Sequence, residues 1–139
     1  MSYAFDRVER FIGSDGLRRL AEAHVAVFGL GAVGSAALEA LARSGIGHLR
    51  LVDFDRIKAS NLNRQILALA STLGQPKAVV ARERVALINP EAQVEAIEEF
   101  FCSACADRLL APPLDFVIDA IDSLTPKANL IREAVQRGI

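Results

Sequence analysis

The residues best suited to chemistry begin with three glycines, Gly29, Gly31 and Gly34, which have G-x-G-x-x-G spacing. Glycine permits a tight turn and a close approach of backbone to ligand, and unpaired N–H groups at a helix N-terminus attract anions. The motif follows an apolar run and precedes an alanine-rich segment, which is the strand-to-helix context that gives it meaning. We therefore predict that Gly29, Gly31, Ala32, Val33 and Gly34 contact the phosphates of a nucleotide. The motif alone does not distinguish ATP from NAD or FAD.

Two carboxylates follow the next apolar run. Asp53 lies 22 positions after Gly31, where an acidic side chain accepts hydrogen bonds from ribose hydroxyls. Asp55 lies two positions further on, on the same side of an extended chain, and there it either supports the ligand or starts the loop as a turn former. Asp53 therefore predicts an adenosine-containing ligand, whereas the role of Asp55 stays open.

A group of amides and cations comes next, and its members are Asn61, Arg64, Gln65 and Lys77. Attack at the α-phosphorus of a triphosphate needs fixed positive charge, which Arg64 supplies as a planar fork and Lys77 as a point charge. Hydride transfer needs no such group. The segment therefore favours ATP chemistry with pyrophosphate as the leaving group, and it makes Arg64 and Lys77 candidate catalytic residues.

A last pair of carboxylates, Asp119 and Asp122, lies after a fourth apolar run, where open α/β sheets place their ligands. Mg²⁺ prefers carboxylate, water and phosphate oxygens, and Asp122 is our candidate for binding it. Asp119 either orients the turn or touches the ligand, and both carboxylates also suit helix capping before Pro126.

The elements that must position these residues alternate between strand and helix. The apolar runs predict four strands, and the helical segments begin after Gly31, at Pro76 and at Pro126. The strands are expected at 24–28, 49–52, 94–97 and 116–118, the helices at 32–44, 76–89 and 126–137, and a short helical segment at 64–69. This order predicts an α/β Rossmann-like fold with a doubly wound, mainly parallel sheet and helices on both faces. We divide the chain into an N-terminal arm and helix, 1–23, and a nucleotide-binding domain, 24–139, and expect it to be the N-terminal half of a longer protein.

Composition narrows the class of protein further. The chain has 139 residues, of which 52% are hydrophobic and 24% charged, with a formal net charge of −1. This suits one core and gives no overall basic excess for nucleic acid or an anionic membrane. No apolar stretch reaches the roughly 20 residues of a membrane span, so we expect a cytoplasmic protein. Cys102 and Cys105 lack a second pair for zinc, and we interpret them as small buried thiols, with a redox pair as the alternative.

Six motifs in this order resemble the ThiF/MoeB/HesA family of adenylating enzymes, which are ubiquitin-activating-enzyme-like. They are G-L-G-A-V-G, V-D-F-D, S-N-L-N-R-Q, G-Q-P-K, I-N-P and V-I-D-A-I-D-S. Within the family, R-S-G-I-G, N-L-N-R-Q-I and I-D-A-I-D-S followed by Pro126-Lys127 are similar to the tRNA threonylcarbamoyladenosine dehydratases, TcdA or CsdL. The resemblance implies an enzyme that binds ATP and Mg²⁺ and adenylates a carboxylate. Family members work as homodimers or pseudo-dimers, and we expect a homodimer here.

The resemblance also implies roles for individual residues. The three glycines would line the nucleotide, Asp53 would hold the ribose, Asp122 would hold Mg²⁺, and Asn61, Arg64, Gln65 and Lys77 would surround the phosphates. Arg7 matches the family's arm arginine, which reaches the phosphates of the partner subunit. Ala4 stands where relatives usually carry another arginine.

Four functions remain open at this point. The first is a dehydratase that adenylates the threonyl carboxylate of N6-threonylcarbamoyladenosine in tRNA, after which the ring closes. The second is an adenylyltransferase that activates a ubiquitin-like sulfur carrier protein for thiamine or molybdopterin synthesis. The third is a NAD- or FAD-binding module, and the fourth is a dimerisation scaffold without turnover. The sequence contains no residue that identifies the acceptor.

Overall fold

The computed structural model describes residues 3–139, so positions 1–2 of the predicted arm lie outside the described residues. The strands are β1 (His24–Phe28), β2 (His48–Val52), β3 (Gln93–Ile97) and β4 (Phe116–Asp119). The α-helices are α1 (Asp6–Glu22), α2 (Ala32–Ser44), α3 (Lys77–Ile88), α4 (Ala106–Leu109) and α5 (Leu124–Gln136). Short 3-10 turns occur at Tyr3–Phe5, Ala59–Asn61, Ala70–Thr72 and Ser103–Cys105.

The four strands form one parallel sheet in the order β3-β2-β1-β4. The chain moves outward from β1 through β2 to β3 and then crosses to β4 on the other side of β1. This reversal of strand order creates a crevice at the carboxyl ends of β1 and β4. The predicted doubly wound α/β fold is confirmed.

Both faces of the sheet are covered, because the residues of β1 alternate between two cores. Val25 and Val27 pack in the core under α2 and α3. Ala26 and Phe28 pack in the core under α4 and α5. All four side chains are at most 4% exposed, which explains why the run is apolar throughout and not alternating.

Glycine and proline mark several ends and kinks of the helices. Gly45 closes α2 in the left-handed conformation, with φ of 90°, and Pro76 is the N-cap of α3. Gly13, with φ of 78°, kinks α1. No helix within residues 3–139 is long and apolar enough to cross a membrane.

The predicted helical segment at 64–69 is wrong. This stretch consists of turns between the 3-10 turns at Ala59–Asn61 and Ala70–Thr72. Its apolar residues Leu67 and Ala68 are buried in the core, but they serve as consecutive anchors of a loop and not as one face of a helix. Burial of a loop and helical periodicity give similar sequence patterns over so short a segment.

Candidate functional site

A cleft of about 360 Å³ opens at the carboxyl ends of the strands. Its floor includes Phe28 and Val52, and its walls come from the loops that follow β1, β2, β3 and β4. Ligands of open α/β sheets bind at this position, where the strand order reverses. The cleft is therefore the candidate functional site.

The three glycines do different things in the turn that follows β1. Gly29 has φ of 88°, and a Cβ there would lie 2.5 Å from the carbonyl oxygen of Ala120. Gly34 packs against the turn itself, since a Cβ would lie 1.7 Å from the carbonyl oxygen of Gly29. Gly31, the N-cap of α2, lines the cleft. The outer glycines thus shape the turn, and Gly31 leaves room above the first N–H groups of α2.

Asp53 holds the glycine turn against the end of β2. Its Oδ2 accepts a hydrogen bond from the Leu30 N–H at 2.7 Å, and its Oδ1 accepts one from the Asp55 N–H at 2.7 Å. A carboxylate accepts about four hydrogen bonds, so both oxygens keep capacity for a ligand hydroxyl. Asp55 forms an ion pair with Lys77, Oδ2 to Nζ, at 3.6 Å. Asp55 therefore lies within the site and does more than start a loop.

Amides and cations from the loop after β2 form one wall. Asn61 is buried, and its Oδ1 accepts from the Lys58 N–H at 2.9 Å. Gln65 is 9% exposed, lines the cleft next to Gly31, and its side-chain amide has no hydrogen-bond partner within residues 3–139. Arg64 is exposed at the rim, with its guanidinium donating to the carbonyl of Ser60 at 2.9 Å. Unused amide groups in so buried a position point to a polar ligand.

Lys77 is the most deeply buried charged residue of the cleft. It begins α3, lines the cleft and is only 5% exposed. Its ammonium lies 3.6 Å from Asp55, which is an ion-pair distance and too long for a good hydrogen bond. A buried ammonium with hydrogen-bonding capacity to spare favours an anion in the cleft.

The loop after β4 carries the remaining carboxylates, and they differ in role. Asp119 accepts from Lys127 Nζ at 2.8 Å and from the Ile121 N–H at 3.1 Å, so it orients the turn and does not line the cleft. Asp122 lines the cleft and is exposed. Its carboxylate forms no hydrogen bond or ion pair with any other of the described residues, 3–139. Asp122 is thus the cleft carboxylate that is available to a cation.

Sequence reasoning missed three aromatic residues of the cleft. Phe54 and Phe100 stack edge to face with ring centroids 5.1 Å apart, and both are about half exposed. Phe101 is buried against Phe28 with centroids 5.4 Å apart. Two exposed phenylalanines at a cleft mouth form an apolar surface suited to a flat ring. The available signal was an aromatic residue within three positions of the end of each of two neighbouring strands.

Glu99 also lines the cleft without having been predicted. It is paired with Arg108, whose Nη1 donates to Oε1 at 2.8 Å. That guanidinium holds the pKa of Glu99 below its ordinary value, so the carboxylate stays ionised and already has a partner. Glu99 is therefore less available to a cation than Asp122.

The structure brings eleven predicted site residues into this one cleft and leaves two outside it. Those in the cleft are Gly29, Gly31, Ala32, Val33, Asp53, Asp55, Asn61, Arg64, Gln65, Lys77 and Asp122. Gly34 does not line it, because its role is to let α2 pack on the turn. Arg7 is exposed on α1 and does not line the cleft either. The contacts that these residues make with a ligand stay predictions.

The interpretation of Cys102 and Cys105 as small buried thiols is wrong. They form a disulfide across the turn Ser103–Cys105. Both are half-buried, and the two residues between them are exposed. A separation of three positions allows the two cysteines to form a local bridge within one turn.

A second cavity of about 380 Å³ lies at the opposite, amino end of the strands. His24 and His48 stack there with ring centroids 4.0 Å apart and an angle of 5° between their planes. Burial, and then the neighbouring His24, lower the pKa of His48. This cavity lies away from the edge where parallel sheets bind ligands, and it contains none of the predicted site residues.

Comparison with known proteins identifies the family of the chain. Residues 5–139, nearly the whole chain, match the ThiF family. The chain belongs to this family. It spans about half the length of the curated ThiF-family relatives that it matches.

Three similar proteins represent these matches. The tRNA threonylcarbamoyladenosine dehydratase of Bacillus subtilis (strain 168) is 45% identical over 139 residues, which is 100% of this chain and 55% of that protein. The sulfur carrier protein adenylyltransferase of Thermus thermophilus is 38% identical over 123 residues, covering 88% and 45%. A crystal structure of the E. coli tRNA N6-threonylcarbamoyladenosine dehydratase, TcdA, in complex with ATP has a TM-score of 0.95 and 42% identity, and covers 98% of this chain and 56% of that one.

Proposed function

We propose that this chain supplies the nucleotide-binding site of an ATP-dependent adenylating enzyme. The observation that carries the proposal is the cleft itself, where the glycine turn, the buried Lys77, the buried Gln65 amide and Asp122 converge. Each of these groups keeps hydrogen-bonding or charge capacity that the described protein residues do not use. A polyphosphate uses all of it at once. The ATP complex of the similar E. coli TcdA supports the choice of nucleotide.

The chain's own residues would act on ATP mainly by positioning and by charge. The N-terminus of α2 and the Gly31 turn receive phosphate oxygens, and Asp53 accepts ribose hydroxyls at the end of β2. Lys77 and Arg64 stabilise charge that builds on the phosphates when a carboxylate attacks the α-phosphorus. The carboxylate–phosphorus bond forms, the bond to pyrophosphate breaks, and the acid becomes an adenylate. AMP is then a far better leaving group than hydroxide.

Mg²⁺ fits this donor set. The cleft is lined by four carboxylates and two cations, and a polyphosphate in it needs further positive charge. Asp53 and Glu99 already accept hydrogen bonds from protein groups, and Asp55 is ion-paired with Lys77, which leaves Asp122 to hold the metal. A bound Mg²⁺ would neutralise phosphate charge, and it is typically held by one or two carboxylates plus phosphate oxygens.

The acceptor in our first proposal is the threonyl carboxylate of N6-threonylcarbamoyladenosine in tRNA. Adenylation is followed by closure of the carbamoyl group onto the activated carbonyl, with net loss of water. The similarity to tRNA threonylcarbamoyladenosine dehydratases supports this choice, and a tRNA acceptor implies action in the cytoplasm. The second candidate acceptor is the C-terminus of a sulfur carrier protein, which the 38% identity to a sulfur carrier protein adenylyltransferase supports.

A homodimer is part of the proposal, and Arg7 gives it a test. Arg7 is exposed and does not line the cleft of its own chain. Its proposed contact with phosphates therefore requires a second copy. In a mixed dimer of an Arg7→Ala chain and a Lys77→Met chain, one of the two clefts has both residues intact. An equimolar, freely exchanging mixture should therefore regain about a quarter of the wild-type sites. If the mixture stays as inactive as either variant alone, Arg7 does not act between copies.

The first experiment is a calorimetric titration with ATP, with and without Mg²⁺, alongside NAD⁺. We expect ATP to bind, Mg²⁺ to strengthen binding, and Asp122→Asn to abolish the magnesium effect while the remote variant Glu91→Gln keeps it. Tighter binding of NAD⁺ than of ATP would contradict the proposal and favour a dinucleotide module. A stable dimer that releases no pyrophosphate with any acceptor would favour a scaffold.

The acceptor needs its own assay with the complete enzyme. We expect ATP-dependent cyclisation of tRNA that carries N6-threonylcarbamoyladenosine, read by mass spectrometry of the nucleosides. Formation of a sulfur carrier adenylate without any reaction of tRNA would overturn the first acceptor and establish the second.

A further inference from the structure

The disulfide between Cys102 and Cys105 lies directly beside the nucleotide cleft. Phe100 and Phe101, which immediately precede Cys102, both line the cleft. Phe101 is anchored by its edge-to-face contact with Phe28, whereas Phe100 is half exposed and touches Phe54 across the cleft mouth. The bridge is thus directly adjacent to Phe101 and separated by a single residue from Phe100, and both side chains line the cleft.

A second contact ties the same bridge to Phe100. Cys105 Sγ lies 3.8 Å from the carbonyl oxygen of Phe100. In the disulfide this sulfur carries no hydrogen, whereas in the reduced form the thiol is a weak donor to that carbonyl. Reduction therefore opens the covalent loop that constrains the turn. It also changes the contact between Cys105 Sγ and the carbonyl oxygen of Phe100.

The bridge adds little to global stability. It joins residues only three positions apart, and the stabilisation from a crosslink grows with the length of the loop that it closes. Far larger apolar contacts already hold this region, because Phe101, Ala106 and Leu109 are buried in the core under α4 and α5. Loss of the bridge is expected to leave the fold intact and to act locally.

The turn between the cysteines is open to solvent on its outer side and anchored on its inner side. Ser103 and Ala104 are exposed. Arg132 of α5 donates to Ser103 Oγ at 3.1 Å, which holds the middle of the turn. When the bridge opens, the backbone therefore gains mobility mainly at residues 100–102.

We propose that Cys102 and Cys105 form a reversible redox site that sets the position of Phe100 and thereby the affinity of the cleft for its nucleotide. The reductant is a small or protein dithiol. Its thiolate attacks one cysteine sulfur, the S–S bond breaks, and a mixed disulfide forms. The second thiol of the reductant then resolves the mixed disulfide. The cysteines end as two thiols, having gained two electrons and two protons, and the dithiol ends as a disulfide.

The oxidised form fixes Phe100 against Phe54 and binds nucleotide more tightly. An edge-to-face aromatic contact that is lost or loosened lowers affinity by roughly three- to tenfold. The inference depends on the proposed function only for the identity of the ligand, because the movement of Phe100 is measurable without any ligand.

The test uses the 139-residue chain in two oxidation states, treated with dithiothreitol or with diamide. Thiol titration should give two thiols per chain after dithiothreitol and none after diamide. Two-dimensional NMR of the ¹⁵N-labelled chain should show shifts at Phe54, Phe100 and Phe101, and ATP should bind three- to tenfold more tightly to the oxidised form. The Cys102→Ser, Cys105→Ser double variant, as the matched control, should respond to neither reagent.

Three results would overturn the redox site: two thiols that persist in diamide, shifts confined to residues 102–106, or equal ATP affinity in the two states. Failure of the proposed function gives a different result. In that case ATP binds to neither state while the signals of Phe54 and Phe100 still move on reduction, which supports the redox site and removes ATP as its ligand.

Discussion

The charge of Lys77 should dominate the affinity of the cleft for ATP. We consider Lys77→Met, which keeps the unbranched side chain and removes only the ammonium. Lys77 is 5% exposed, and a hydrogen bond from a desolvated ammonium to an anion contributes about 1.5–3 kcal/mol. Removing it also leaves Asp55, now without its 3.6 Å partner, facing the phosphates, at a cost of about 1 kcal/mol. The sum is about 2.5–4 kcal/mol, or a Kd for ATP that is roughly 70- to 1,000-fold weaker.

Lys58 provides a matched control, because it pairs with the same carboxylate. Its Nζ lies 4.0 Å from Asp55 and its side chain is 67% exposed. Exposed pairs contribute about 0.2–1 kcal/mol, so Lys58→Met should weaken ATP by no more than about fivefold. Adding Asp55→Asn to Lys77→Met should recover part of the lost ATP affinity, since the uncompensated negative charge of Asp55 is removed.

Calorimetric titration with ATP and Mg²⁺ measures the ATP affinity of the unsubstituted chain, Lys77→Met, Lys58→Met and the Lys77→Met, Asp55→Asn double variant. Thermal unfolding checks that each protein is folded. Equal losses of ATP affinity in Lys77→Met and Lys58→Met would refute this prediction, because burial of the charge would then have no effect on ATP binding. Unchanged affinity in Lys77→Met would refute it more directly, since the buried ammonium would not contact the nucleotide.

Three further predictions concern the supports of the site. Lys127→Met should release Asp119 and the loop that follows it, which weakens magnesium-dependent ATP binding several-fold without a large loss of stability, and Lys127→Arg should restore binding in the same titration. Gly34→Ala should destabilise the fold by at least about 2 kcal/mol in urea unfolding, because its Cβ would overlap the carbonyl oxygen of Gly29. Glu39 has a pKa lowered chiefly by its hydrogen bond from a neighbouring arginine, with burial opposing the shift. It therefore stabilises the fold above its unfolded pKa and loses that contribution as the pH falls through its folded pKa, so the stability gap to Glu39→Gln in urea should shrink in acid.

Much of the fold follows from local sequence signals. The strand at 24–28 and the helix at 32–44 have the predicted bounds, because an apolar run, a glycine turn and a left-handed glycine cap all agree. The gathering of Asp53, Lys77 and Asp122 in one cleft also follows from topology, since carboxyl ends of parallel strands share an edge.

The features that the sequence did not predict depend on tertiary placement. Phe54 and Phe100 meet only because β2 and β3 are neighbours and their following loops converge. The stretch at 64–69 is apolar because it is a buried loop, and its pattern is too short to exclude a helix. The bridge between Cys102 and Cys105 depends on the turn that brings the two residues together, and their spacing alone left buried thiols and a redox pair as alternatives.

The position of β4 has a consequence for how the chain reaches this structure. β1 occupies the middle of the sheet, yet its second neighbour arrives late, as the hydrogen bond from the His24 N–H to Asp115 spans 91 positions. While the chain is being synthesised, β1, β2 and β3 can assemble first, and β1 is then a temporary edge with unpaired backbone groups. The loop that carries Asp122 follows β4 and can take its place only after β4 has paired with β1. A nascent chain therefore acquires its nucleotide cleft only after this pairing, which makes nucleotide binding a reporter of β4 pairing and of protection of the β1 edge from aggregation.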